Sequence, residues 1–200
     1  MSVNAVPLNL SAVADCDLVT RAIRGREDGF NELVRRYQRP IAAYVYRMVG
    51  DYDSALDLTQ EVFIKVYSSL ERYRPEFKFS TWIYKIAHNA SVDHLRRNSS
   101  REQALSTEVG GEEREITVMS RKLSPEQEYA VEERRAEIER VVRQLPAVYR
   151  ELIILRHQHD LSYDEIAEVT SLPLGTVKNR LFRAREMMRQ QFVERGITGI

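Results

Sequence analysis

Apolar residues recur at helical spacing along nearly the whole chain, and the pattern lapses over one long stretch. "DLVTRAIRG" reads as a short amphipathic helix ended by Gly25. In "DGFNELVRRYQRPIAAYVYRMVG", Phe30, Leu33, Val34 and Tyr37 share a face; Pro40 interrupts, and Ile41, Tyr44, Val45 and Met48 resume the stripe. "DSALDLTQEVFIKVYSSLERY" predicts a long helix with Leu58, Val62, Ile64, Val66 and Leu70 apolar, and Pro75 then breaks the pattern. "STWIYKIAHNASVDHLRR" restarts it, with Ser80 or Thr81 as N-cap and Ile83, Ile86, Ala87, Ala90 and Leu95 inward. Between Asn98 and Ser124 no sustained apolar face exists, and Pro125 then opens a second helical run. A chain patterned in this way is expected to be all-α: two small helical domains, residues 15–97 and 124–195, joined by a flexible linker over 98–123. Residues 1–14 are expected to form a flexible N-terminus and 196–200 a tail.

Composition narrows the function. Only 8 glycines occur and no strand-like segment of useful length, which agrees with helices throughout. Thirty basic and thirty acidic residues cancel, so bulk charge points to no partner, but their placement does. Acids crowd Glu108–Glu139, whereas Lys178, Arg180, Arg183, Arg185 and Arg189 gather near the C-terminus with Glu186 as the one acid nearby. Cys16 is the only cysteine, so no intrachain disulfide forms, and with no resolving partner it reads as a partly buried helix residue. No apolar run reaches membrane-spanning length and the start lacks a signal-peptide pattern, so no membrane insertion and a cytoplasmic location are expected. His157 and His159 diverge on a helix end, and His88 and His94 do not share a helical face. Neither a metal nor another cofactor is expected. With no phosphate-binding loop and no local Ser/His/Asp set, an enzyme is not expected either.

The most informative stretch is "LSYDEIAEVTSLPLGTVKNRLFRARE". Ser162 and Glu165 fit a capping box, Ile166 and Ala167 face inward, and "LPLG" stops the first helix. In the second helix Val177, Leu181, Ala184 and Met188 form a buried stripe, which leaves Lys178, Asn179, Phe182, Arg183 and Arg185 outside. Two helices, a tight turn and a basic outer face make a helix-turn-helix whose second helix is able to enter a DNA major groove.

Four stretches in order then resemble a bacterial RNA polymerase sigma factor of the extracytoplasmic-function group. They are "RAIRGREDGFNELVRRYQRPI", "DSALDLTQEVFIKVYSSLERY", "FKFSTWIYKIAHNASVDHLRR" and "LPAVYRELIILRHQHDLSYDEIAEVTSLPLGTVKNRLFRARE". The resemblance runs from about Asp17 to about Arg195 and implies regions two and four of that family. It assigns Asp57, Leu58, Gln60, Glu61, Phe63 and Lys65 to docking on the clamp helices of the polymerase largest subunit, with Phe63 or Ile64 as the apolar anchor. Phe77, Lys78, Ser80, Thr81, Trp82, Lys85, Asn89, Arg96 and Arg97 would melt and read the −10 element. Of these, the loop from Phe77 to Ser80 and the basic residues are the stronger candidates, because Trp82 at helical spacing also suits a core. At the −35 element, Lys178, Asn179, Phe182 and Arg183 would meet base edges, and Thr176, Arg180 and Arg185 phosphates.

The partners so implied are core RNA polymerase (clamp helices and flap), promoter DNA and an anti-sigma factor. The acidic linker resembles the segment that threads toward the polymerase cleft. The rival reading is a stand-alone helix-turn-helix regulator, which would bind duplex DNA tightly as a dimer without polymerase.

Overall fold

The computed structural model describes residues 10–102 and 125–196. A 3₁₀ turn at Leu10–Ala12 leads into eight helices: α1 (Asp15–Ile23), α2 (Glu27–Val49), α3 (Tyr52–Ser69), α4 (Phe79–Glu102), α5 (Pro125–Gln144), α6 (Ala147–His157), α7 (Tyr163–Thr170) and α8 (Leu174–Glu194). No strand occurs among the described residues. The all-α expectation holds. The expected N-terminus, most of the linker and the end of the tail (residues 1–9, 103–124 and 197–200) lie outside the described residues.

The N-terminal unit is built from α1 to α4, with α2 packed on α1, α3 and α4. Gly29 permits the α1–α2 crossing, since a Cβ there would sit 2.6 Å from the Leu18 carbonyl oxygen. Gly50 closes α2 in the left-handed region at φ 80°, its N–H donating to the Tyr46 carbonyl. Asp51 then caps α3, its Oδ2 accepting from the Ser54 N–H at 2.8 Å.

Several local expectations are corrected. Pro40 does not interrupt: α2 runs through it. The stripe keeps its phase, and Ile41, Tyr44, Val45 and Met48 beyond the proline are all buried. Each such side chain contributes about 1.5–3 kcal/mol, together more than the ~3 kcal/mol that an interior proline costs. Ser80 and Thr81 do not cap α4, because the Trp82 N–H donates to the Lys78 carbonyl and the helix has begun by Phe79. At its other end α4 continues to Glu102, past the boundary set at Arg97. Cys16 is exposed rather than partly buried.

The second unit, α5 to α8, packs α6 and α7 against α8. It also lies directly on the first unit, chiefly through α7 on α4 and α6 on α2. Core side chains from both units, among them Tyr44, Tyr84, Ala87, Leu155 and Ile166, join one apolar cluster.

Candidate nucleic-acid interface

The helix-turn-helix forms as its sequence dictates. The Ser162 N–H donates to Glu165 Oε2 at 2.7 Å and the Glu165 N–H donates to Ser162 Oγ at 3.2 Å, a complete capping box at the start of α7. Ser171 ends α7 in the left-handed region, and Pro173 stands immediately before α8. Val177, Leu181 and Ala184 are fully buried. At 3.6 residues per turn, Asn179, Phe182 and Arg183 therefore point directly away from that stripe. Lys178 and Arg185 flank them on one side, Thr176 and Arg180 on the other.

The exposures agree: Lys178, Asn179, Phe182, Arg183 and Arg185 are exposed, while Thr176 and Arg180 are half-buried. Phe182, at 69% exposure, is a large apolar ring with no core to fill. Thr176, Asn179, Arg180 and Arg183 line one open cleft with Val148 and Tyr149 of α6. Lys178 lines a second, with Arg156 and Tyr163. Arg185 is steered by its hydrogen bond to Tyr163 Oη at 3.3 Å. The seven residues expected at the −35 element thus wrap the side of α8 away from its buried stripe, with Thr176 and Arg180 on one flank and Lys178 and Arg185 on the other, and present amide, guanidinium and ammonium donors that match phosphates and base-edge acceptors.

The residues expected at the −10 element divide. In the loop before α4, Tyr73 Oη donates to the Phe77 carbonyl at 2.7 Å, and the Phe77 ring is 50% exposed. Behind the loop, Trp82 stacks obliquely on Tyr73 and Phe79 at centroid distances of 5.5 and 5.6 Å. Trp82 is half-buried and serves as a wall of this cluster, whereas Thr81 is only 4% exposed with its hydroxyl enclosed. Thr81 is therefore withdrawn from direct contact with a strand. Lys78, Asn89, Arg96 and Arg97 are exposed, and Ser80 and Lys85 half-exposed.

On α3, Asp57, Gln60, Glu61 and Lys65 are exposed, and Phe63 is half-buried against the core. Leu58, expected on the docking face, is 3% exposed and supports that face from behind. Ile64 and Tyr67, 67% and 61% exposed, supply its apolar surface.

A third feature lies where the units meet. Lys78 Nζ is 2.9 Å from Glu165 Oε1, and Lys85 Nζ is 2.7 Å from Glu168 Oε1. Below these pairs, Tyr84 Oη lies 2.6 Å from His159 Nδ1, with the rings 4.5 Å apart. His88 Nδ1 is 3.4 Å from Glu151 Oε2, and Arg47 bonds Glu139 at 2.6 Å. Burial pushes the Glu151 carboxyl up to about 7 and the His159 imidazole down to about 4.

The family models for sigma-70 region 2 and sigma-70 region 4 match residues 33–101 and 135–188. Over 172 residues the chain is 36% identical to the ECF RNA polymerase sigma factor SigW of Bacillus subtilis, covering 84% of this chain and 91% of that protein. It is 39% identical over 182 residues to the ECF RNA polymerase sigma-E factor of Escherichia coli, covering 87% and 92%. The chain belongs to the ECF group of RNA polymerase sigma factors. Two solved structures share its fold: CnrH in complex with the cytosolic domain of CnrY (TM-score 0.65, 21% identity, 90% of this chain and 97% of that one); and the Bartonella quintana sigma factor RpoE in complex with the anti-sigma factor NepR (TM-score 0.66, 19% identity, 80% and 94%).

Sequence reasoning about this sigma factor missed the junction between its units. Its signal was present in "YDEIAEV", where Glu165 and Glu168 are spaced three apart and so share a helical face. The capping role absorbed Glu165, and nothing local told that α7 would lie on α4.

Proposed function

We propose that this sigma factor docks on the clamp helices of core RNA polymerase through Asp57, Gln60, Glu61, Ile64 and Lys65 of α3. It then opens and reads a −10 strand with Phe77, Lys78, Ser80, Lys85, Asn89, Arg96 and Arg97, and reads a −35 duplex with the outer face of α8. The carrying observation is the order of side chains around α8: donors and one exposed ring opposite a fully buried stripe, in a matched region 4. Trp82 and Thr81 brace the strand-binding loop from beneath. Phe77, half-exposed at a loop tip whose carbonyl is already tied, is poised to stack on an unpaired base, an interaction of about 1–3 kcal/mol.

The sigma factor performs no covalent chemistry of its own and acts in the cytoplasm with polymerase. Each unit makes weak contacts, and polymerase makes them selective by fixing the spacing of the units. An anti-sigma partner is proposed as its inhibitor. An apolar cleft lined by Met48, Val92, Leu95, Val148 and Leu172, open at the junction of the units, is the surface such a partner would fill.

In vitro transcription with purified core enzyme, followed by start-site mapping, tests the proposal. New transcripts initiating downstream of a shared pair of elements are expected. Core enzyme that ignores the protein and makes no new RNA would end the proposal.

A further inference from the structure

We propose that Asp15, the first residue of α1, is a positioning residue for the −10 strand: it holds the base-reading loop before α4 in shape through Tyr37, Phe79 and Tyr73. The inference rests on the assignment of that loop to the −10 strand. Asp15 lies before the span matched by sigma-70 region 2, residues 33–101.

The start of α1 is bound to α2 by one guanidinium. Arg36 donates Nη2 to the carbonyls of Leu10 and Val13 at 2.7 and 2.8 Å, and Nη1 to Asp15 Oδ1 at 2.6 Å. Its Nε donates to Glu32 Oε1 at 2.9 Å, so its own helix fixes it as well. The second Asp15 oxygen, Oδ2, accepts from Tyr37 Oη. Burial first, and then that bond, raise the pKa of the Tyr37 hydroxyl, which therefore keeps its proton and remains the donor.

From Tyr37 the contacts run to the loop without a gap. The Tyr37 ring meets Phe79 edge-on at 5.2 Å, and Phe79, 2% exposed, opens α4. Phe79 meets Tyr73 at 5.7 Å and Trp82 at 5.6 Å, and Tyr73 Oη donates to the Phe77 carbonyl at 2.7 Å. Edge-on pairs constrain ring orientation as well as burying area. Turning the Tyr37 ring would therefore shift Phe79, and with it the ring whose hydroxyl ties down the loop. A loop that must first be ordered binds an unstacked base more weakly than one already in shape. A carboxylate in the first turn of a helix often does no more than complement the helix dipole. Asp17 serves that end on the same turn and is exposed, whereas both oxygens of Asp15 are engaged by α2.

The test has two arms. In holoenzyme, affinity is measured for the −10 strand of a mapped promoter, intact and with an abasic site at each position in turn. Wild type is expected to lose affinity most at the base taken by the loop. Asp15→Ala is expected to weaken the intact strand about three- to tenfold and to flatten that loss, with −35 discrimination unchanged. Tyr37→Phe, a milder change, is expected to act in the same way, and the double variant to bind no more weakly than Asp15→Ala alone. Asp17→Asn is expected to match wild type. In the free chain, acrylamide quenching reads Trp82, the only tryptophan. Quenching is expected to rise in Asp15→Ala and Tyr37→Phe and to stay level in Asp17→Asn.

Equal strand affinities and equal quenching for Asp15→Ala and Asp17→Asn would overturn the proposal. So would a lower melting temperature in Asp15→Ala with the abasic profile of wild type, since that outcome marks a purely structural role. A wild-type holoenzyme indifferent to every abasic site would overturn the −10 reading of the loop instead, and the quenching arm would still decide whether Asp15 holds the cluster.

Discussion

The two surfaces of this molecule proposed to meet DNA stand in opposite conditions. The outer face of α8 projects Asn179, Phe182 and Arg183 into solvent, whereas Lys78, just before α4, and Lys85 on it are paired with carboxylates of α7 of the same chain. The contrast follows from where each helix's apolar side lies. α8 is buried on one stripe against its own unit, so its remaining surface has nothing to meet. On α4, Tyr84 and His88 are buried at the seam where they meet α6 and the loop after it, and the second unit must sit beside its polar face to cover them. A reader of duplex DNA can be held ready without cost, because closed duplex is what it meets first. A reader of unpaired strand is useful only after melting.

Proton uptake at the seam gives the largest lever on that contrast. Glu151 faces His88 of α4 and Tyr44 of α2, with Arg180 of α8 as the nearby cation, and burial raises its carboxyl to about 7. A raised carboxyl is neutral with or without the seam below its ordinary range. Its contribution to the seam is complete there and is lost as pH rises through about 7. The opposing groups are His88 and His159, both lowered by burial, whose contribution is lost as pH falls below the usual histidine range. The two effects oppose each other across the acid range, and above about pH 7, where Glu151 is ionised and both imidazoles are neutral with or without the seam, no further change is expected from these groups. The Glu151 loss, which accrues as pH rises from its ordinary carboxylate range to about 7, is roughly 3 kcal/mol at most. Thermal unfolding from pH 4 to 9 should show stability level above about 7, and Glu151→Gln, which stays neutral, should remove the loss between pH 4.5 and 7 and raise stability most at and above neutrality. A variant no more stable than wild type at pH 8 would assign the loss elsewhere.

Arg183→Ala probes the uncovered surface. A bidentate base contact is worth about 1–3 kcal/mol, so −35 discrimination by holoenzyme should fall by about tenfold or more. Because the outer face of α8 is uncovered, the loss should be the same below and above pH 7, unlike any effect routed through the seam. Promoter titrations with −35 variants on both sides of pH 7 separate these outcomes. A pH-dependent loss would mean that α8 also responds to the seam.

Much of this was legible in the sequence because it is local. Helical period, the Ser162–Glu165 box and the Val177–Leu181–Ala184 stripe are fixed by neighbours a few residues away, and each appears where the pattern put it. What failed was of longer range. Pro40 was read by its local rule, yet packing of residues on both sides carried the helix through it. Leu58 and Ile64 both suited an amphipathic reading of α3, and which of them is buried depends on where α2 and α4 lie. The same applies to Thr81, whose polar side chain read as available for DNA until the fold enclosed it. The seam is the extreme case: Tyr84 and His159 are separated by 75 residues, and neither announces the other.

Lys85 offers the smallest effect and the sharpest discrimination, because its ammonium has two competing uses. In the free protein it pairs with Glu168 at 2.7 Å; in an open complex it would face a phosphate. Lys85→Gln gives up both. Loss of a partly exposed ion pair is worth at most about 1 kcal/mol, and loss of one phosphate contact should reduce the salt slope of binding by about 1. In the free chain the two losses oppose each other, since losing the Lys85–Glu168 pair loosens α7 on α4 while the strand has one fewer cation to find. Strand affinity of the free variant should therefore stay within about twofold of wild type. In holoenzyme, if Lys85 is parted from Glu168, only the phosphate loss remains, and the salt slope should drop in full. Salt titrations of both forms measure this directly. An equal drop in the two would mean that Lys85 meets DNA as readily before polymerase binds as after, and the difference between α4 and α8 would vanish.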